Sequence, residues 1–214
     1  MDKIYWLFDV AIHLNKYLDI LVTEYGLWIY SIIFLIILLE TGLVVTPLLP
    51  GDSLLFAAGA LAWNGKLSLP IIIILCIVAA ILGDAMNYWI GRFLGEKLLT
   101  KYPKIIKPKY IEKTKEFYEH YGNKTIILCR FVPIVRSIAP FLAGAGEMTY
   151  SRFTKYNIIG GIIWVLFFTI LGFLFANIPI VEENFSIVIL IIIAISYLPI
   201  LFEIYKNHKK SKVE

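Results

Sequence analysis

Long runs of apolar residues constrain this chain more than any other feature. Four stretches approach or exceed the ~18 residues that a membrane-spanning helix requires: Gly26–Thr46, Leu67–Ile90, Thr154–Ala176 and Phe185–Phe202. Hydrophobic residues form 59% of the 214 residues and charged residues only 17%, whereas soluble domains average roughly 45–50% and about 25%. A soluble fold of this length buries only about 70% of the surface of its unfolded chain. The composition therefore predicts an all-α polytopic membrane protein.

Two further apolar pieces are interrupted by prolines and charges. The first, Leu48–Trp63, follows Pro47 and contains Pro50 and Asp52, and the second, Thr125–Met148, contains Arg130, Pro133, Arg136 and Pro140. Proline removes a backbone donor and disfavours helix at the preceding residue. Broken backbone at membrane depth is tolerated where protein covers it or water reaches it. The pattern predicts two re-entrant helical hairpins, at 28–63 and 124–148, within a membrane domain of residues 26–176.

Basic residues predict the orientation of these pieces, because lysine and arginine are enriched in cytoplasmic loops. Residues 92–124 carry nine lysines and arginines against four acids, and four lysines follow Phe202. Both regions should face the cytoplasm, whereas Asn177–Asn184, with two glutamates and no base, should lie outside. Residues 1–25 are expected to form an interfacial segment on the outer side, and 185–214 a last transmembrane helix with a basic cytoplasmic tail. The two hairpins would then enter the membrane from opposite faces.

The two hairpins also resemble each other in sequence. A shift of 86 residues aligns Pro47–Ala60 with Pro133–Gly146 without a gap, and small residues coincide at the end of both segments. Together with the opposite entry sides, this match predicts an inverted repeat, an arrangement that places broken helices and binding sites near the membrane midplane of transporters.

A polar segment between the hairpins has the pattern of an amphipathic helix. Lys109–Tyr121 follows Pro108 and precedes Gly122, which are typical start and stop signals. Its aromatic residues share one face, which predicts a helix that lies on the membrane surface or a solvated linker helix.

Four charged residues stand inside the predicted hairpins, where a charge costs ~2.5–3.5 kcal/mol to insert. Glu40 and Asp52 belong to the first hairpin, and Arg130 and Arg136 belong to the second. Facing hairpins would neutralise them pairwise, so one interpretation is that they are ion pairs that fasten the fold. The other is an anion site, because the fork of arginine matches two phosphate oxygens and a carboxylate at membrane depth can carry a proton.

A few other residues are candidates for supporting roles. Asp84 and Asn87 form a small polar stripe with two following glycines, which favours close helix packing over substrate contact. Glu147 closes the second hairpin near the interface and is a further candidate. Arg92 is expected to snorkel, and Trp164 and the two cysteines, Cys76 and Cys129, to pack in the apolar interior.

Patterns typical of enzymes and nucleic-acid-binding proteins are missing from the sequence. The three histidines lie outside the hairpins without metal-ligand spacing, and no nucleophile–base pair is evident. The basic loop follows from the positive-inside rule and from attraction to anionic lipid. We therefore expect neither an enzyme nor a metal, a cofactor or a nucleic-acid partner.

Three motifs carry a resemblance to a known family. The runs ETGLVVTPLLPGDSLLFAAGAL, GDAMNYWIGRFLG and RFVPIVRSIAPFLAGAGEMTYSRFTKYNIIGGIIW, within residues 25–175, resemble the DedA family of bacterial membrane proteins. That family shares a core, the VTT or SNARE-associated domain, with eukaryotic lipid scramblases. The resemblance implies paired re-entrant hairpins, and it matches Glu40 and Asp52 to essential acids and Arg130 and Arg136 to essential arginines.

The resemblance implies lipid translocation, because some family members return undecaprenyl phosphate across the cytoplasmic membrane. We expect an inward flippase in which Arg130 and Arg136 hold the phosphate while Glu40 and Asp52 carry protons or gate access. The alternatives are a phospholipid scramblase of low selectivity without ion coupling, a non-transporting structural factor, and an enzyme that acts on lipid phosphate. A homo-oligomer is compatible with each of these.

Overall fold

The computed structural model describes residues 24–43, 51–101 and 108–178, and every regular element in these ranges is helical. The all-α prediction is therefore confirmed for these residues. The predicted interfacial segment 1–25, up to residue 23, and the helix and tail at 185–214 lie outside the described residues. The helices are α1 (Trp28–Gly42), α2 (Gly51–Trp63), α3 (Leu69–Lys101), α4 (Pro108–Tyr121), α5 (Thr125–Leu128), α6 (Pro133–Leu142) and α7 (Tyr150–Phe175).

Two of these helices are long and apolar enough to cross a membrane. They are Leu69–Gly95 within α3, with 27 residues, and α7, with 26, in agreement with two of the stretches predicted from sequence. The basic region that begins at Arg92 is helical at first, because α3 continues to Lys101, and its cytoplasmic orientation stays a prediction. The chain has two broken segments, residues 28–63 (the first) and 124–148 (the second). The glycines at 91 and 95 do not end α3, since both pack closely against Phe141 and Ala145 of the second broken segment.

The shorter helices end or begin near some of the prolines and glycines. The interruption predicted at Pro140 is wrong, because α6 continues through it, and Pro47 and Pro50 lie outside the described residues. α1 ends at Gly42 with Leu43 extended. Val132 is also extended, and α6 begins directly after it at Pro133, as expected for the residue that precedes a proline. After α6, Ala143–Glu147 forms a π-type turn that contains Gly146, whose φ of 135° is accessible only to glycine without strain. These breaks bring polar side chains of α1, α2 and α6 toward the two long helices.

Each broken segment crosses one of the long helices through a reciprocal pair of glycines. In the α2–α7 crossing, Gly59 faces the carbonyl of Thr169 and Gly172 faces that of Phe56, with no room for a Cβ at either glycine. In the second crossing, Gly144 faces the carbonyl of Tyr88 and Gly91 faces that of Phe141, again with no room for a Cβ. Small residues allow such close approach of helices in membranes.

The apolar core of the described residues contains two main clusters. The first joins α1, α2, α3 and α7 and includes Ile37, Leu55, Cys76 and Trp164. The second joins the end of α3 to the second broken segment and α7, and it includes Cys129 and Phe153. Both cysteines are buried and unpaired, as the sequence predicts.

Helix α4 forms where the amphipathic pattern predicts it, but its apolar side contacts protein. The hydroxyl of Tyr118 donates a 2.8 Å hydrogen bond to the carbonyl of Ala139 in α6, and Ile111 packs against the same helix. Thr125 also donates to the carbonyl of Phe117. This contact is not expected of a solvated linker helix, whereas a location of α4 at the membrane surface stays a prediction. The sequence pattern identifies an apolar face but not the surface that covers it.

Candidate functional site: a buried charge cluster

Arg136 joins the two broken segments through two carboxylates. From α6, its Nη1 donates a 2.9 Å hydrogen bond to Oδ1 of Asp52 at the start of α2, and its Nη2 pairs with Oε1 of Glu40 near the end of α1. Only 11% of the Arg136 side chain, 17% of that of Asp52 and 3% of that of Glu40 are exposed. Three positions that the sequence identified therefore meet in one forked ion pair.

The backbone of α2 also holds the Glu40 carboxylate. The N–H of Gly51, an orphan donor in the first turn of α2, donates a 3.1 Å hydrogen bond to Oε1 of Glu40. A Cβ at Gly51 would overlap the same carboxylate, so glycine is required for this approach. The other oxygen, Oε2, is buried and has no hydrogen-bond partner among the described residues.

Trp164 of α7 contributes a polar contact that the sequence analysis missed. Its indole Nε1–H donates a 2.8 Å hydrogen bond to Oδ1 of Asp52. The Cζ atom of Arg136 lies 5.0 Å from the centre of the indole ring, within range of a cation–π interaction. The expectation that Trp164 serves only packing is therefore wrong. Its side chain positions both partners of one ion pair.

Arg130 pairs with Asp84 of α3 rather than with an acid of the first hairpin. Its Nη2 contacts Oδ2 of Asp84 and donates a 2.5 Å hydrogen bond to Oδ1 of Asn157 in α7. Asn157 donates in turn to the carbonyl of Ile81 at 3.0 Å. The predicted pairing between the two broken segments is thus confirmed for Arg136 and wrong for Arg130, whose guanidinium contacts α3 and α7 instead.

Asn157 is a second residue of the cluster that sequence reasoning missed. It lies on the same face of α7 as Gly160, Gly161 and Trp164, at helical spacings of three, four and seven residues. Both glycines pack against the Arg130 side chain. A polar amide at the start of the long apolar stretch of α7, followed by small residues on the same face, is the signal that would have identified it.

Asn87, a neutral residue of α3, connects the end of α1 to α6. Its Nδ2 donates to the carbonyl of Thr41 at 3.2 Å and to that of Ser137 at 2.8 Å. One fully buried amide of α3 thereby ties the end of α1 to α6. The side chain of Glu147, the third candidate for a supporting role, lies outside the described residues.

The cluster as a whole contains more acids than bases. Three carboxyl groups, Glu40, Asp52 and Asp84, face the two guanidinium groups of Arg130 and Arg136. With every group ionised, the cluster carries one net negative charge in an interior where uncompensated charge is costly. One additional proton, or another monovalent cation, would neutralise this charge.

A small cavity lies beside these side chains. It has a volume of about 10 Å³ and is lined by polar residues of α1, α3 and α6 together with Arg130 and Trp164. That volume is enough for about one water, and it is too small for a phosphate group. Among the described residues, no group of three His, Cys, Asp or Glu side chains converges to hold a metal ion. The arrangement is a closed network of ion pairs whose partners must separate before an anion of phosphate size enters.

Comparison with known proteins gives a family for this chain. The VTT domain matches residues 49–174, a range that contains Asp52, Asp84, Arg130, Arg136, Asn157 and Trp164. Protein DedA of Escherichia coli strain K12 is 52% identical over 214 residues, which cover 99% of this chain and 97% of that protein. No solved structure matches.

More distant relatives have similar descriptions. An uncharacterized membrane protein of Mycobacterium leprae is 38% identical over 175 residues, covering 81% of this chain and 78% of the relative. The inner membrane protein YqjA of Escherichia coli strain K12 is 33% identical over 153 residues, covering 71% of this chain and 70% of YqjA. With the helices of spanning length and the VTT domain, these similarities establish that the chain is a membrane protein of the DedA family.

Proposed function

We propose that this protein moves undecaprenyl phosphate across the cytoplasmic membrane, from the outer to the inner leaflet. The observation that carries the proposal is the buried pair of guanidinium groups where the two broken segments meet the long helices. A protein that only crosses a membrane has no need for five ionisable side chains in its interior, and such residues mark substrate or ion pathways. Arginine is the side chain best suited to a phosphate oxyanion at that depth.

The proposed binding step is an exchange of partners at Arg136. Its two terminal nitrogens now contact two different carboxylates, Asp52 and Glu40. A phosphate group presents two oxygens with similar charge and spacing, so it is able to replace both carboxylates on the same fork. The acids then act as a gate, since they occupy the arginine when the lipid is absent and must separate from it when the lipid binds.

The surplus of acids supplies a reason for proton coupling. A proton on Glu40 would balance the charge of the cluster and would weaken its ion pair with Arg136 at the same time. Its buried Oε2 atom, with no partner among the described residues, has a free position for that proton. Proton uptake by Glu40 and release of Arg136 toward the phosphate are thus the same event in this mechanism.

We further propose that the two halves are inverted repeats with re-entrant hairpins. The reciprocal glycine crossings support this arrangement, because each broken segment crosses the long helix that follows the other segment. The crossings equate Phe56 with Phe141 and Gly59 with Gly144, which is a shift of 85 residues rather than the 86 of the sequence alignment. In transporters with such repeats, one half rocks against the other around a central site.

A non-transporting structural role is the alternative that a specific observation favours. Both arginines are paired with carboxylates, and the adjoining cavity holds no more than about one water. If the network never opens, the charges serve only to fasten the helices. The two roles differ in whether the ion pairs of the arginines open to admit a lipid phosphate. Measurement of lipid transport tests this difference.

The experiment is reconstitution of the full chain in phosphatidylcholine vesicles with labelled undecaprenyl phosphate, with and without a pH gradient. We expect protein-dependent movement of the label that accelerates with the gradient. Equal movement of labelled phosphatidylethanolamine, without a response to the gradient, would indicate the scramblase of low selectivity. No movement of either lipid, by protein that is folded, would contradict the proposal and leave the structural role.

Two matched controls keep that result specific. Labelled undecaprenol has the same tail without the phosphate, and we expect no protein-dependent movement of it. The Glu112→Gln variant removes an acid from the exposed side of α4, and it should transport as the wild type does.

A further inference from the structure

A second cavity, separate from the charge cluster, lies at the beginning of α7. It has a volume of about 340 Å³ and is lined by residues of α3, of the turn after Gly146 and of the first turn of α7, together with Asn123. Two arginines from different helices line it, Arg92 of α3 and Arg152 of α7. The volume is within the range of small-molecule sites, and the charged side chains that line the cavity among the described residues are these two guanidinium groups.

An apolar groove continues from this cavity along the outside of the helices. It has a volume of about 700 Å³, and its walls come from α1 and α3, including Phe34, Leu82, Met86 and Phe93. Trp89 and Tyr150 line both spaces, and their rings lie 5.1 Å apart at the boundary. Tryptophan and tyrosine concentrate at the level of lipid headgroups. One continuous surface thus changes from cationic to apolar at an aromatic pair.

The electrostatic environment of the cavity favours an anion. Arg92 and Arg152 are both exposed, and no carboxylate pairs with either one among the described side chains. The first N–H groups of α7 lie at the same place, and the side chain of its N-cap residue, Thr149, does not cap them. Orphan donors and the helix dipole add to the attraction that the two arginines already provide.

We propose that this surface binds a membrane lipid whose phosphate headgroup carries a net negative charge, unlike that of zwitterionic phosphatidylcholine, with the phosphate between Arg92 and Arg152 and the tail in the apolar groove. The two arginines favour an anionic headgroup. The apolar lining of the groove fits a long hydrocarbon chain. A free phosphate ion would bind in the cavity alone and would make no contact with the apolar groove. We further infer that transported lipid leaves the protein at this surface, on the cytoplasmic side. This inference rests on the proposed function, whereas the binding of lipid does not.

The test is photo-crosslinking of the full chain in phosphatidylcholine vesicles with undecaprenyl phosphate that carries a photoreactive group near its phosphate. We expect crosslinks to peptides that contain Trp89, Phe93 or Tyr150. Arg92→Gln and Arg152→Gln should each reduce that yield about fivefold or more, because each removes charge-assisted hydrogen bonds to phosphate. Lys155→Gln changes an exposed cation on the same helix but outside the cavity, and it should stay within about twofold of the wild type.

The groove and the source of the phosphate are tested in the same vesicles. Ala85→Phe, which places a ring in the groove, should reduce the yield about fivefold or more by excluding hydrocarbon that is otherwise buried. Unlabelled undecaprenyl phosphate should compete for the crosslink, whereas undecaprenol or inorganic phosphate should not. Wild-type yields in both arginine variants, or competition by inorganic phosphate alone, would overturn the proposal.

Transport in the same preparations separates the two proposals. If the wild type transports but the crosslinks do not depend on Arg92, Arg152 or Ala85, the proposed site fails and the proposed function stands. If the crosslinks behave as expected but no lipid moves in the wild type, the site stands and the proposed function fails.

Discussion

The indole N–H of Trp164 donates a 2.8 Å hydrogen bond to Oδ1 of Asp52, across 112 positions of the chain. The same oxygen accepts the 2.9 Å hydrogen bond from Arg136. One carboxylate oxygen therefore links a long helix, α7, to both broken segments. This linkage makes the tryptophan part of the charge cluster rather than part of the apolar core alone.

Replacing Trp164 by phenylalanine keeps an aromatic ring but removes the N–H. We expect the free energy of unfolding to fall by about 1.5 kcal/mol, because a hydrogen bond to a charged group is worth about 1.5–3 kcal/mol. Thermal unfolding in detergent measures the change. Trp63→Phe is the control. Trp63 is 40% exposed and its ring packs edge-on against that of Phe173, so the substitution reduces the ring without removing a contact of the charge cluster. Equal losses in both variants would show that ring volume, and not the hydrogen bond, determines the effect.

Neutralising Glu40 should affect transport more than stability. Glu40→Gln removes the surplus negative charge and leaves Asp52 on Arg136 and Asp84 on Arg130, so the charges balance. We expect transport to lose its response to a pH gradient while the lipid still binds, because the proposed proton site is gone. Asp52→Asn should abolish gradient-driven transport in the same way. A Glu40→Gln variant that retains the full gradient response would exclude Glu40 as the proton carrier.

Neutralising Asp84 should have the opposite outcome. Asp84 is the only carboxylate that contacts Arg130 within the described residues, so Asp84→Asn leaves a buried guanidinium without a charged partner. Breaking a buried pair in this way costs about 3–5 kcal/mol. We expect reduced expression and a lower melting temperature in detergent than for Glu40→Gln, which serves as the comparison. If the two variants are equally stable, the local pairing of Arg130 with Asp84 does not determine the stability of this cluster.

Exchanging either arginine for lysine separates charge from geometry. Lysine keeps the positive charge but loses the planar fork that contacts two oxygens. We expect Arg130→Lys and Arg136→Lys to insert and fold, and to bind undecaprenyl phosphate at the cluster at least about tenfold more weakly, since one charge-assisted hydrogen bond is worth about 1.5–3 kcal/mol. Crosslinking of the photoreactive lipid to peptides of α2 and α6 reports on this position. As a control, neutral polyprenol should bind equally poorly to the wild type and to both variants. If both variants keep full affinity for undecaprenyl phosphate and full transport, the arginines have only a structural role.

The orientation of the chain is a further prediction from its basic residues. Single cysteines at Lys109 and Glu183, in a background in which Cys76 and Cys129 are replaced by alanine, should be labelled by an impermeant reagent from opposite faces of the membrane. The measurement is labelling of intact cells or sealed vesicles before and after permeabilisation. Labelling of both positions from the same face would contradict the opposed hairpins and the inverted repeat.

The sequence alone determined the class of the protein, the locations of its breaks and the charged residues that its interior must accommodate. These features are local: spans follow from uninterrupted apolar length, and Pro133 constrains the backbone of the residue beside it. For the same reason, the sequence identified Glu40, Asp52, Arg130 and Arg136 as conspicuous. The charge of each is out of place whatever its neighbours are.

Only the tertiary structure decided which of these residues are partners. Asp84 and Arg130 are 46 positions apart and Glu40 and Arg136 are 96 apart, and no local pattern specifies which helix faces which. The glycine crossings set that arrangement, because they bring α7 close enough for Trp164 and Asn157 to reach the charges. The same packing places Arg92 and Arg152 around one cavity. A side chain's chemistry can be read from the sequence, but its partners depend on contacts between distant segments.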